Sequence, residues 1–168
     1  PSSSLSSDEE GVENLLKASN NFLATTSLEH ALEHSDLLFV VVATPSLQNG
    51  RYDHSQVDRL VQTIEELGYS DLQKEFIVCC TTMPGYCDSI SQKLEPLNYR
   101  VSYNPEFIAQ GTILKDQENP DMVLIGEADW ESGNLIEEVY KDHTQSNPRI
   151  CRRIRNITTR KQRKKGIE

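Results

Sequence analysis

A carboxylate, an amide and a glycine stand close together in Asn104-Pro105-Glu106-Phe107-Ile108-Ala109-Gln110-Gly111, and Ala43-Thr44-Pro45 and Thr81-Thr82-Met83-Pro84-Gly85 each close an apolar run with hydroxyl groups. Asn104 is suited to cap a helix, and Pro105 to hold its first position, where a missing N–H leaves no partner wanting. Glu106 then falls in the first turn, where the helix dipole favours negative charge. Taken alone, Glu106 reads as a dipole-matched surface acid. A carboxylate that moves a proton needs more: hydrogen-bond reach to its target, a rigid support and shelter from bulk water.

The hydrophobic pattern says which elements bring these segments together. Residues 37–42 form a continuous apolar, β-branched run, the pattern of a strand covered on both faces of a parallel sheet. After a polar loop, Val57, Leu60, Val61, Ile64 and Leu67 recur at helical spacing until Gly68. Residues 76–81 predict a second buried strand, and Ile90 and Leu94 mark the next helix. A third strand over residues 100–103 leads into Asn104; a fourth covers 122–125, and an amphipathic helix covers 130–140. Upstream, the pattern predicts a helix over 11–18 with Ser7 as a cap, a short strand over 22–25, and a helix opened by Ser27. Strands alternating with helices predict an α/β fold with a doubly wound parallel sheet. In that architecture ligands bind beyond the carboxyl ends of the strands. Thr44, Thr82 and Glu106 occupy three such ends, and that convergence raises Glu106 above a plain surface acid.

Composition narrows the function classes. Of the net charge of -9, the stretch from Arg152 to the end holds eight Lys or Arg against Glu168, so it carries +7 and the rest carries -16. An acidic body argues against nucleic acid or anionic membrane as its usual partner. The basic stretch taken alone reads as an unstructured solvated terminus, with nucleic-acid binding or a localisation signal as the alternative. Cys79, Cys80, Cys87 and Cys151 form no CxxC pair, and the adjacent Cys79 and Cys80 point to opposite faces of a strand, as small buried hydrophobes of a reducing compartment do. His30 and His34 share a helix face but lack a third ligand, so no metal site is expected. His54 and His143 read as solvent-facing, and Asp53 and Ser55 as caps of the following helix. With neither a signal peptide nor an apolar run of membrane-spanning length, a cytoplasmic protein is expected.

The order Ala43-Thr44-Pro45, Thr81-Thr82-Met83-Pro84-Gly85, Asn104-Pro105-Glu106-Phe107 and Asn119-Pro120-Asp121 before Val123-Leu124-Ile125-Gly126 resembles the NAD-binding domain of the UDP-glucose/GDP-mannose (nucleotide-sugar) dehydrogenase family. The resemblance implies a Rossmann-like fold, NAD as cofactor and an oxidoreductase reaction: two successive hydride transfers that oxidise a sugar nucleotide, typically UDP-glucose, to the uronate. By the same resemblance Thr44, Pro45, Thr82 and Gln110 would bind the cofactor, and Thr82 would also lie close to catalytic water. Glu106 would act in acid/base work or in placing water, and Glu106, Phe107, Ile108, Ala109, Gln110 and Gly111 would line the sugar-nucleotide site. Gln110 stands where the family usually has glutamate; an amide hydrogen-bonds but takes no proton.

The family's GxGxxG turn and its nucleophilic cysteine match nothing in these residues, which gives the expectation of a partial domain truncated at both ends, lacking the first βαβ strands and inactive alone. Residues 1–10 are expected as a flexible lead-in, 11–150 as the partial NAD-binding domain and 151–168 as the basic tail. Losing central strands would leave residues 37–42 without one neighbour, and an exposed apolar edge favours homo-oligomerisation or pairing with another chain. Two other classes stay open: a non-catalytic nucleotide-binding or interaction module, and a hydroxyacid dehydrogenase of the same fold.

Overall fold

A computed structural model describes residues 9–68, 70–109 and 111–154. Ser7, Gln110 and residues 155–168 lie outside them. In chain order the elements are α1 (Val12–Ala18), α2 (Leu28–His34), β1 (Leu37–Val40), α3 (Ser55–Leu67), β2 (Lys74–Val78), α4 (Tyr86–Leu94) with a terminal 3-10 turn (Glu95–Leu97), β3 (Tyr99–Tyr103), α5 (Ile113–Glu118), β4 (Met122–Glu127), α6 (Trp130–His143) and β5 (Arg149–Ile154). The five strands form one sheet in the order β1-β2-β3-β4-β5.

β2 spans Lys74–Val78 rather than the expected 76–81; every residue of it is buried, and alternate side chains feed two separate cores. Phe76 and Val78 pack with Val57, Val61 and Ile64 of α3 and with Ile90 and Leu94 of α4. Ile77 and Cys79 meet Val123, Ile125 and Ile136 on the opposite face, under α6. β1 carries the same kind of sequence without the same cover. Phe39 is 40% exposed and Val41 61%; among the described residues β1 pairs with β2 alone, and Phe39 faces an open cleft rather than a closed core. Among the described residues β1 has a strand neighbour on one side only, and the expected burial of both its faces is not found.

Three other expectations need correction. Residues 22–25 form no strand; Phe22 and Leu23 are exposed and unpaired in the sheet. The sheet is not wholly parallel: β4 meets β3 antiparallel through Tyr103 and Gly126. A parallel return needs a crossover to the opposite end of the sheet, whereas residues 104–121 contain only the short α5, and β4 runs back down from the rim. Finally, β5 takes up Cys151 to Ile154, which charge alone assigns to a solvated tail. Arg152 finds partners there: Glu127 at 2.5 Å and Glu137 at 3.0 Å, with its guanidinium 4.3 Å from the Trp130 ring centroid. His54 is likewise not simply solvated, since its ring stacks on Tyr86 at 3.8 Å.

α6 starts where its sequence provides a cap. Asp129 accepts from Ser132 N at 2.9 Å and is paired with Arg100 at 2.8 Å, and Arg100 also reaches Glu75 and Glu131. Burial pushes the Asp129 carboxyl up, but the bonds from Ser132 and Arg100 outweigh it and hold the group below the ordinary range. Glu137 is lowered too, first by Lys141 and then by Arg152. Depressed folded values contribute stability that is fully present above the unfolded carboxylate pKa of about 4 and is lost as pH falls through the folded ones. Glu75 works in the opposite sense, because burial raises its pKa: its contribution is present at low pH and lost as pH rises through the folded value. The urea midpoint is therefore expected to drop below about pH 4. Asp129→Asn should flatten that drop, and an unchanged slope in the variant would remove Asp129 as its source.

Candidate functional site

Three strand ends stand side by side at one rim. The β1–β2 ladder continues past the strands through Cys79 N to Val40 O at 3.0 Å, and the β2–β3 ladder through Asn104 N to Val78 O at 2.9 Å. These bonds fix where the chain leaves toward Thr44, Thr82 and Glu106. Thr44 is half-buried and Pro45 exposed. Thr82 is half-buried and hydrogen-bonded to the phenol of Tyr103, whose pKa is raised mainly by burial.

Asn104 does not cap a helix. Residues 104–109 are not helical, and α5 begins only at Ile113. Asn104 is 1% exposed, and its side chain ties two other elements together. Nδ2 donates to Leu124 O of β4 at 2.9 Å, and Oδ1 accepts from the Tyr140 hydroxyl of α6 at 2.9 Å. A buried amide inside the fold gains more from full satisfaction than from a solvent-side cap, which is why the capping pattern misleads here. The consequence for the site is that Pro105 and Glu106 leave from a point anchored to β2, β4 and α6.

Glu106 is half-buried in a cleft of about 480 Å³. It accepts from Gln117 Nε2 of α5 at 3.2 Å. Phe107 and Ile108 extend its wall, Phe39 contributes from β1, and Val139, Tyr140 and His143 contribute from α6. The Cys79 thiol lies near the Glu106 carboxylate; burial, then that negative charge, pushes it up to about 12, so it stays protonated and is no nucleophile. Burial also raises the Tyr140 phenol, which keeps it a donor to Asn104. The loop beyond Ile108 is shaped by Asp116, whose Oδ2 accepts from Ala109 N at 3.0 Å and from the Thr112 hydroxyl at 2.8 Å. These two bonds, that from Ala109 first, lower its pKa. Gly111 is exposed, with its N–H bonded to Glu9.

Of the residues proposed from sequence, Glu106, Phe107 and Ile108 line the cleft; Ala109 and Gly111 lie just beyond it; Thr44, Pro45 and Thr82 occupy the neighbouring strand ends without lining it. Tyr140, Gln117, Asp116 and His143 were not expected. Tyr140 alone had a readable signal: a tyrosine on the apolar face of an amphipathic helix needs a partner for its hydroxyl. Among the described residues no group of three His, Cys, Asp or Glu is placed to hold a metal ion, and no helix is long and apolar enough to cross a membrane.

Residues 2–144 match the model of the UDP-glucose/GDP-mannose dehydrogenase family, NAD binding domain. GDP-mannose 6-dehydrogenase of Pseudomonas aeruginosa is 31% identical over 149 residues, which cover 80% of this chain and 34% of that protein. UDP-glucose 6-dehydrogenase YwqF of Bacillus subtilis is 28% identical over 142 residues, 79% of this chain and 32% of that protein. The crystal structure of a ternary complex of GDP-mannose dehydrogenase from Pseudomonas aeruginosa superposes with a TM-score of 0.76 at 27% identity, covering 87% of this chain and 36% of that one. The chain thus spans about a third of the length of these relatives. On motifs, fold and family match together, the chain belongs to the UDP-glucose/GDP-mannose dehydrogenase family, as its NAD-binding domain.

Proposed function

We propose that this chain forms the strand-end rim of a nucleotide-sugar dehydrogenase site, with NAD on the Thr44–Thr82 side and the sugar of a nucleotide sugar, UDP-glucose, GDP-mannose or a close relation, against Glu106. The observation that supports this most is the position of Glu106: half-buried, on a backbone anchored by Asn104, beside the carboxyl ends of parallel strands. The described residues fit part of the cofactor. Two threonines follow adjacent parallel strands, where a dinucleotide crevice opens in this architecture. The GxGxxG turn that cradles a pyrophosphate is not in the sequence.

NAD, when bound, accepts hydride from the sugar carbon. The chain's own part is to hold Thr44 and Thr82 toward the cofactor and to place the Glu106 carboxylate against a sugar hydroxyl or the water that replaces it. A carboxylate there takes a proton from that oxygen, with Gln117 fixing one of its oxygens and the apolar walls of Phe107 and Ile108 thinning the water around it. The pyrophosphate turn and the nucleophile come, in this proposal, from segments other than these residues. A cytoplasmic location fits the reduced cysteines.

The test is NADH formation from UDP-glucose, UDP-N-acetylmannosamine or GDP-mannose, with the chain alone and mixed with a full-length family subunit. Turnover that rises on mixing and falls by about 10²-fold or more with Glu106→Gln supports the proposal. Turnover only with a small hydroxyacid, or no effect of Glu106→Gln, contradicts it.

A further inference from the structure

α5 has little of its own to hold it in place. It is six residues long, none of its side chains is buried, and Thr112 before it provides no side-chain cap. A helix this short is unstable without outside contacts. Yet α5 carries Gln117, which fixes a Glu106 oxygen at 3.2 Å, and Asp116, which accepts from Ala109 N at 3.0 Å, and both residues line the cleft. Its far end is tied down by Gln145, whose N–H donates to Glu118 O at 2.7 Å.

Glu9 holds the near end from far away in sequence. Its carboxylate accepts from Gly111 N through one oxygen and from Ile113 N, 104 residues along the chain, through the other at 3.3 Å. Ile113 is the first residue of α5, where the N–H has no intrahelical partner. A carboxylate bonds such a group more strongly than a neutral acceptor does. The side chains continue the contact: a Cβ on Gly11 would stand 3.4 Å from Leu114 Cδ1, so the turn that opens α1 lies against α5.

We propose that Glu9 is a positioning residue for the Glu106 cleft: its two-point clasp seats the first turn of α5, and through Gln117 it sets how the Glu106 carboxylate is presented to a sugar nucleotide. Glu9 itself does not line the cleft. Without the clasp, residues 111–118 open locally while the sheet stays folded, because neither of the two buried cores draws on α5. Segments with few buried contacts open in this independent way. The ligand half of this inference rests on the function proposed above, and the clasp does not.

Amide hydrogen exchange of the full chain, without ligand, tests the clasp. In Glu9→Ala the N–H groups of Gly111 and of residues 113–118 should exchange about tenfold faster, while those of Phe76, Val78 and Val101 keep the parent rate. Glu9→Gln retains one acceptor oxygen and should fall between the two. Dissociation constants test the ligand half. Affinity for UDP-glucose or GDP-mannose, whichever the parent binds, should fall about tenfold in Glu9→Ala and recover in part in Glu9→Gln, with NAD affinity unchanged. Unchanged exchange at Ile113, or parent-like sugar-nucleotide affinity in Glu9→Ala, would overturn the proposal. So would faster exchange throughout the sheet or an equal loss of NAD affinity, since either means general destabilisation. A parent that binds no sugar nucleotide would contradict the proposed function and overturn the ligand half with it, while the exchange rates still decide the clasp.

Discussion

Gly133→Ala is expected to destabilise the protein by about 3 kcal/mol, measured as the shift in urea unfolding. Helix propensity predicts the reverse, since Gly inside a helix costs about 1 kcal/mol relative to Ala. The difference lies in what stands next to α6. A Cβ at Gly133 would overlap the Glu127 carboxylate and the Arg152 guanidinium. Those two groups form the 2.5 Å pair that joins β4 to β5, with side chains only 4% and 15% exposed. Arg152 also holds Asn134 at 2.7 Å, Glu137 at 3.0 Å and the Trp130 carbonyl at 3.1 Å. Breaking a buried pair leaves an uncompensated charge, which costs more than the pair itself contributes. A variant more stable than the parent would mean that the network moves aside freely.

Asn104→Ala is expected to cost about 2–4 kcal/mol, because it strands two half-buried groups, the Leu124 carbonyl and the Tyr140 hydroxyl, at about 1–2 kcal/mol each. Tyr140→Phe removes one of those bonds and should cost about 1 kcal/mol. The double variant should cost less than the sum of the two, since the residues are in contact. Strict additivity would contradict a shared network. The same substitution loosens the point from which Glu106 departs, so ligand affinity at the cleft should fall together with stability.

The sequence carries the site better at its strand ends than at its loops. α3 is legible because one buried face imposes a helical period, which Val57, Val61 and Ile64 follow, and β2 because its run of buried residues is unbroken, though it starts at Lys74 and stops at Val78. The position of Thr44, Thr82 and Glu106 at the rim is legible for a related reason: each follows an apolar run that ends as a strand. What fails is local reading of polar residues. Asn104 has the type and setting of a cap, yet its partners Leu124 and Tyr140 are 20 and 36 residues away. Arg152 looks like tail charge until Glu127 and Glu137 are folded against it. The antiparallel turn of β4 was hidden for the same reason, since strand direction depends on where residues 104–121 run and not on the apolar pattern of 122–125. Tertiary hydrogen bonds between distant residues have no signature in a window.

The most direct test of the account is chemical-shift mapping of the isotopically labelled chain in moderate salt, on addition of UDP-glucose or GDP-mannose with NAD. Shifts concentrated at Glu106, Phe107, Ile108, Gln117 and Tyr140 for the sugar nucleotide, and at Thr44 and Thr82 for NAD, are the predicted result. Shifts confined to other faces, or a small hydroxyacid moving the Glu106 cleft while sugar nucleotides leave it unmoved, would contradict it.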